Sequence, residues 1–484
     1  MISTVDHSRT PLLSQVAQQA NCPHQRFYMP GHKGGSGSSS QLINSLGISS
    51  LRADMPELPV LDQLFAPSGV IQEAQALAAD AFGAEQTYFL VNGTSVGLIA
   101  AIMTLCGPGD RIIVPRNCHQ SIIHGLILSG AEPVWICPKL APDLYLPYVI
   151  SPAALKTALL TFLDVKAAIA ISPTYEGICG DIKGLAAIAH QHNIPLIVDE
   201  AHGAHLCFHP DLPPSALSQG ADLVVQSTHK TLGACTQASM LHIQGDRIDL
   251  SRLQATLTLL QSSSPSYLLL ASLDAARHQM ATQGAQILDT AMELAAELRE
   301  QLKALSAIQV LDILESPDPG FTAIDPLKLT LDLTRCSLSG FELDEILSQE
   351  YQIWAELPAE TALTFMLGQG NTSVELEQLN QALTEQDHPK IESSCNTTIV
   401  KLPHAPFAAA MTPRNAFNAT SEPMLLTHAQ GRLSAKIICP YPPGIPLIFP
   451  GEEITGEAIA ALAQIHQAGG TIIGLIDDTI DCLT

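Results

Sequence analysis

Between Thr87 and Gln226 the chain alternates short apolar runs with longer helical patterns. Thr87–Val91, Arg111–Pro115, Pro133–Cys137, Ala167–Ser172, Pro195–Asp199 and Asp222–Gln226 are rich in Val and Ile and bounded by Gly, Pro or Asn. Runs of that length and make-up predict strands buried on both faces. Ser95–Leu105, Gln120–Leu128, Pro152–Leu163 and Gly184–His192, lying between them, read as helices. The alternation predicts an α/β fold with a mainly parallel central sheet and helices on both faces. Such sheets bind ligands at the carboxyl ends of their strands, so the residues just after each run are where chemistry is expected.

After Gln261 the texture changes. Ser262-Ser263-Ser264-Pro265 reads as a loop, and an Ala- and Leu-rich helix is expected over about Leu268 to Leu305. From Thr322 to Thr384 the pattern suggests strand, helix, two short strands and helix, a small α+β domain. Glu385–Asn396 reads as a polar linker. The Pro-rich run Pro440-Tyr441-Pro442-Pro443-Gly444 follows, and the chain ends in a helix and an apolar strand. The first seventy residues, rich in Pro, Gly and Ser, read as an extended arm.

At 484 residues the chain should form two or three domains. It is 46% hydrophobic and only 14% charged, a core-rich composition that excludes a disordered chain. Asp and Glu number 47 against 23 Lys and Arg, a field that repels nucleic acid and anionic membranes and mildly attracts cationic small molecules. The same acidity also serves plain solubility. Eleven Cys are scattered without a C-x-x-C pair, which suits reduced thiols in a cytoplasmic protein. Met1–Thr10 shows no apolar signal segment, and the longest apolar stretch, around Val96 to Cys106, is too short to span a bilayer.

Four strand ends carry candidate chemistry. Ser227-Thr228-His229-Lys230 follows Asp222–Gln226. A Lys partly desolvated at a strand end has a lowered pKa and becomes a usable amine nucleophile, as a Schiff-base lysine must be. Ser227 and His229 beside it suit an anionic group. Asp199-Glu200-Ala201-His202 ends the preceding strand, and a carboxylate there suits a ring nitrogen that must stay protonated. Asn92-Gly93-Thr94-Ser95 offers a tight turn, two hydroxyls and the N–H groups of a helix start, a cradle for phosphate. Arg116-Asn117-Cys118-His119 places a His where its ring can stack on an aromatic cofactor. Each fragment alone has a plainer reading, as a surface Lys, a turn-capping Asp, an N-cap or a structural His, and for the His that reading prevails in isolation. Together they are the amine, carboxylate, phosphate cradle and stacking ring of a pyridoxal-phosphate (PLP) site.

The chain resembles the Orn/Lys/Arg decarboxylase family, whose fold is that of the PLP-dependent type I (aspartate-aminotransferase) enzymes, nearly end to end. The resemblance is carried by Tyr28-Met29-Pro30-Gly31-His32-Lys33-Gly34-Gly35, Glu57-Leu58-Pro59, Phe89–Gly97, Pro115–His119, Ser172-Pro173-Thr174-Tyr175, Val198–His205 and Gln226–Lys230. Tyr441-Pro442-Pro443-Gly444-Ile445-Pro446 and Pro450-Gly451-Glu452 add to it. It implies that Lys230 holds PLP as a Schiff base and Asp199 pairs with the pyridine nitrogen. It further implies that His119 stacks on the ring, that Gly93, Thr94, Ser95, Ser227 and His229 gather around the phosphate, and that Ala201 and His202 line the ring's other face. Thr174 is expected near the ring hydroxyl, and Lys230 or His229 is expected to protonate the α-carbon.

On this resemblance the protein is expected to decarboxylate arginine, lysine or ornithine in the cytoplasm, in polyamine biosynthesis, as a homodimer or higher oligomer. The expected domains are an N-terminal arm (1–70), a PLP-binding large domain (71–315), a small α+β domain (316–390) and a C-terminal decarboxylase-family domain (391–484). The extra N-terminal domain of some relatives is not expected, and Gln120 stands where the family often has Lys after the stacking His. Glu452 or Glu453 are candidates for holding the substrate's distal cation. Transamination or another lyase reaction on the same scaffold remains the main alternative, and a non-enzymatic PLP-binding regulator would need a basic DNA-reading segment that this acidic chain lacks. The run His202–His209 suggests a metal hydrolase only weakly, because it lacks the H-E-x-x-H spacing. No metal ligand is assigned.

Overall fold

A computed structural model describes residues 5–141, 144, 146–313, 318–390, 405–441, 446–467 and 471–484. Residues 391–396 of the expected linker and 442–445 of the Pro-rich segment lie outside the described residues. The first seventy residues are helical in part, not extended: α1 (Pro11–Asn21), α2 (Ser40–Leu46) and α3 (Ile48–Ala53). Pro11 suits the first helical position of α1, and Leu12 and Val16, four residues apart, share its buried face.

The central part follows the alternation closely. In order come α4 (Val70–Phe82), β1 (Gln86–Leu90), α5 (Gly93–Leu105), β2 (Arg111–Pro115), α6 (Gln120–Ser129) and β3 (Glu132–Ile136). Next are α7 (Pro152–Thr161), β4 (Val165–Ile171), β5 (Ile178–Cys179), α8 (Ile182–Gln191) and β6 (Leu196–Asp199). Then come β7 (Leu223–Gln226), α9 (Thr228–Thr231), β8 (Ser239–Ile243), α10 (Leu250–Leu260) and the long α11 (Tyr267–Leu302). The α+β segment holds β9 (Gln309–Val310), β10 (Ala323–Ile324), β11 (Lys328–Asp332), α12 (Gly340–Glu350), β12 (Leu357–Pro358), β13 (Ala362–Met366) and α13 (Ser373–Glu385). The last segment holds β14 (Phe407–Ala408), α14 (Pro413–Asn418), β15 (Ser421–Leu425), β16 (Cys439–Tyr441), α15 (Gly456–Gln467), β17 (Thr471–Ile473) and β18 (Thr479–Leu483).

The chain divides into two compact units. In the first (Met1–Thr104 with Val198–Ile287), β8 runs antiparallel to both β1 and β7, with Thr87 opposite His242 and Gln226 opposite Met240. Helix α5 is apolar almost all round, as a helix buried on all sides must be. It lies so close to the sheet that a Cβ on Gly97 would stand 2.5 Å from Val225 and 2.8 Å from Leu90, so only glycine fits there. The N-terminal segment is tied to α11 by a buried pair. Asp274 accepts the first N–H groups of α1 from Leu12 (3.0 Å) and Leu13 (3.1 Å), while Arg277 bonds Asp274 and the carbonyls of His7 (3.0 Å) and Arg9 (2.7 Å).

In the second unit (Leu105–Ile197 with Leu288–Thr484), β2 lies parallel to both β3 and β4, and β14 pairs antiparallel with β3. Strands β12, β13, β11 and β9 form a separate antiparallel sheet over Leu329, Leu331, Leu343, Leu363 and Leu379. The last segment has its own core of Ile438, Ile448, Ile454, Leu462 and Ile480. Strand β6 starts in the second unit and ends in the first. It belongs with β1, β8, β7, β4, β2, β3 and β14 to one mixed eight-stranded central sheet, which makes the fold α/β as expected. Among the described residues no helix is long and apolar enough to cross a membrane.

Candidate active site

Three chain segments of the first unit bring most of the predicted residues onto neighbouring elements. After β7 the chain turns at Ser227 into α9, and Lys230 N–H donates to the Ser227 carbonyl at 3.0 Å. Gly93 opens α5 at φ +75°, a backbone state that favours glycine, and so starts the helix immediately after β1. Thr94 Oγ1 lies 2.6 Å from Ser227 Oγ and 3.3 Å from Ser239 Oγ. The predicted hydroxyls of the phosphate cradle therefore meet each other, at the positive end of a thirteen-residue helix. Ser239, on the antiparallel strand β8, has no signal in the sequence. The pairing of β8 with both β1 and β7 brings it here.

Asp199 ends β6 and is 5% exposed. Burial pushes its carboxyl up to about 6, while the Lys230 charge and the Ala201 N–H, 3.2 Å away, work the other way. Lys230 Nζ lies 3.0 Å from His202 Nε2. His229 places Nδ1 2.8 Å from the Ala238 carbonyl, so Nδ1 carries the proton and donates. Burial lowers the pKa of this ring, with the Lys230 charge adding to the effect and the carbonyl bond opposing it. In the neutral ring Nε2 is then a bare acceptor, and it can donate to an anion only after protonation.

His119, Gln120, Thr174 and Glu452 lie in the second unit. His119 is the N-cap of α6, its Nδ1 accepting from Ser121 N–H at 3.2 Å and lying 2.9 Å from Ser121 Oγ. Thr174 is 2% exposed, and its Oγ1 accepts from Ile178 N–H at 3.3 Å. Gln120 is the first residue of α6. Glu452 is committed elsewhere: both its oxygens lie 2.7 Å from Arg116 Nη2. A carboxylate already neutralised by a buried guanidinium is a poor partner for a substrate cation, which disfavours Glu452 but leaves Glu453 as it stood. Lys33, in the segment from Pro30 to Gly35, donates Nζ to the Tyr28 carbonyl. Among the described residues no group of three or more His, Cys, Asp and Glu is placed to hold a metal, the run His202–His209 included.

Behind the Asp199–Lys230 cluster runs a buried chain that the sequence did not reveal. Glu200 accepts from Ala216 N–H and from Gln226 Nε2, each at 2.7 Å. Gln226 Oε1 lies 3.1 Å from His242 Nε2, and His242 Nδ1 lies 2.8 Å from Thr87 Oγ1. Burial pushes Glu200 up to about 8 against these donors, and pushes His242 down to about 3. A carboxyl raised on folding contributes stability that is fully present below its unfolded value of about 4.5 and is lost as pH rises through about 8. Glu200→Gln should therefore gain on the wild type steadily between pH 5 and 8, because the amide cannot ionise. Thermal melts of both proteins across that range would decide it, and parallel curves would refute the shift.

Comparisons with known proteins show the family and the fold. The family described as Orn/Lys/Arg decarboxylase, major domain, matches residues 10–326, and its C-terminal domain matches residues 395–472. The arginine decarboxylase of Bacillus subtilis (strain 168) is 37% identical over 473 residues, 97% of this chain and 96% of that protein. The structure of the constitutive lysine decarboxylase of Escherichia coli superposes with a TM-score of 0.83 at 21% identity, covering 99% of this chain and 82% of that one. The structure of a serine palmitoyltransferase from Sphingomonas wittichii shares the fold more distantly, with a TM-score of 0.54 at 14% identity over 78% of this chain and 84% of that one.

Proposed function

Because the chain belongs to the Orn/Lys/Arg decarboxylase family, and is thus an amino-acid decarboxylase acting on a small molecule, we propose that it removes carbon dioxide from arginine with PLP as cofactor. The observation that carries arginine over lysine and ornithine is the 37% identity to an arginine decarboxylase along essentially the whole of both chains.

The donor set of the first unit fits PLP. Thr94, Ser95 and Ser227 with the Gly93 turn would hold the phosphate, Asp199 the ring nitrogen, Ala201 and His202 one ring face, and Lys230 the aldehyde carbon. The hydroxyls of Thr228 and Thr231, on either side of Lys230, are buried without a hydrogen-bond partner among the described residues, a cost that a bound anion would offset. His119 on the ring and Thr174 near its hydroxyl are assigned by resemblance. When bound, PLP supplies the electron-withdrawing ring that accepts the electron pair left as carbon dioxide departs.

The chain's own residues do the rest. Asp199, as carboxylate, keeps a proton on the ring nitrogen. Lys230 Nζ, beside His202 Nε2, is the amine that returns a proton to the α-carbon. A decarboxylase gains by not gripping the α-carboxylate tightly before reaction, since that interaction is lost on the way to the transition state.

The same reading includes the four domains 1–70, 71–315, 316–390 and 391–484, a homodimer or larger homo-oligomer, a cytoplasmic location and a place in polyamine biosynthesis; the resemblance supports these. The test is carbon dioxide release by the purified protein with PLP, given arginine, lysine and ornithine in parallel. Release from arginine with its matching amine is expected. Release only from lysine or ornithine would overturn the substrate, and silence on all three in PLP-loaded protein would overturn the reaction.

A further inference from the structure

We infer that Arg116 and Arg414 are positioning residues through which the C-terminal segment fixes helix α6, and with it the ring of His119. The inference rests on the assignment of His119 to the cofactor. His119 cannot be set independently of α6, because its Nδ1 caps that helix through Ser121. What holds the helix therefore holds the ring.

Both ends of α6 are gripped from the C-terminal segment. Ahead of the helix, Arg116 is 6% exposed and donates Nη2 to both oxygens of Glu452 at 2.7 Å and to the Leu447 carbonyl at 3.1 Å. Its guanidinium carbon stands 3.8 Å from the centroid of the Phe449 ring, which stacks on Trp135 of β3 at 4.3 Å. Glu452 is held in turn by the Phe449 N–H at 2.9 Å. At the far end, Arg414 of α14 donates Nε to the Ile127 carbonyl at 2.7 Å and Nη2 to that of Leu128. A cation is favourable at this end of a helix, where carbonyls lack intrahelical partners. Gly130, at φ +74°, admits it: a Cβ there would lie 2.6 Å from Arg414.

Stability alone does not account for Arg116. Its Nε and Nη1 are buried with no hydrogen-bond partner among the described residues. Burying a cation with donors unsatisfied is costly, and a buried ion pair is weak evidence of net stabilisation. Fixing one geometry is the role such a pair can fill.

Two measurements on the full chain test this. In cofactor-free protein, hydrogen exchange of the amides of residues 117–122 should quicken about tenfold in Arg116→Ala. Those of residues 126–131 should quicken comparably in Arg414→Ala, while α13 stays unchanged in both. In PLP-loaded protein a double-mutant cycle follows. Arg116→Ala should lower kcat about tenfold and move the cofactor absorption band when His119 is present, and do neither in a His119→Ala background. Arg116→Lys, which keeps the charge opposite Glu452, should restore part of the loss. Unchanged exchange at residues 117–122, or equal losses with and without His119, would overturn the inference. If the wild type takes up no PLP, the functional reading falls, and the exchange experiment still decides whether the clamp exists.

Discussion

Lys230→Ala is expected to lose turnover by on the order of 10⁴-fold or more, and to lose the covalent bond to the cofactor while keeping the fold. The side chain is half-buried on the short helix α9 that follows β7 and is not part of the core, so its truncation should move the melting temperature by only a few degrees. Its amine lies within 3.0 Å of His202 Nε2 and close enough to Asp199 to lower that carboxyl's pKa. Borohydride reduction followed by peptide mass analysis should place the cofactor on Lys230 in the wild type and on no residue of the variant. Recovery of a reduced adduct from the variant would move the attachment to another Lys and undo the site as drawn. Added primary amines should restore a little turnover, because the missing group is a base and nucleophile whose neighbours remain in place.

The strand ends were readable because the chemistry there is local. Ser227 to Lys230 and Asp199 to His202 are contiguous in sequence, and each directly follows a run of apolar residues that could only be a buried strand. The buried runs placed five of the six expected strands within one residue of their observed starts and ends. The exception is β4, which starts at Val165 because Lys166, its one exposed residue, disguises the start of the run. Helix α1 is illegible in the sequence for a compositional reason. The Gly- and Ser-rich stretch that follows it hides the pattern of Leu12 and Val16, although Pro11 marks the start. Couplings made by sheet register left no trace in the sequence. Thr87 meets His242 because β1 and β8 pair antiparallel, and Arg116 meets Glu452 across 336 positions of chain. Residues chosen for a partner so distant look, one at a time, like ordinary polar positions.

Asp199→Asn should lower kcat by about 10²–10³-fold, the range that follows from removing one charged member of a buried, hydrogen-bonded pair. Asn keeps the size of the side chain and can still accept from Ala201 N–H, so a large loss would report charge and not shape. The stability of the two proteins supplies a second, sharper reading. Without cofactor the wild-type carboxyl titrates near 6, raised by burial, so its contribution is fully present below about 3.8 and is lost as pH rises through about 6. Cofactor-free Asn variant should therefore gain on the wild type across that window. With PLP bound the order should reverse near neutral pH, because a protonated ring nitrogen gives the carboxylate the partner that burial denies it. Melting temperatures with and without PLP, at pH 5 and pH 8, would show the crossing. A variant that keeps kcat within threefold of the wild type, or that gains as much from PLP, would mean that Asp199 does not face the ring nitrogen, and the carboxylate for that task would have to be sought on another strand end.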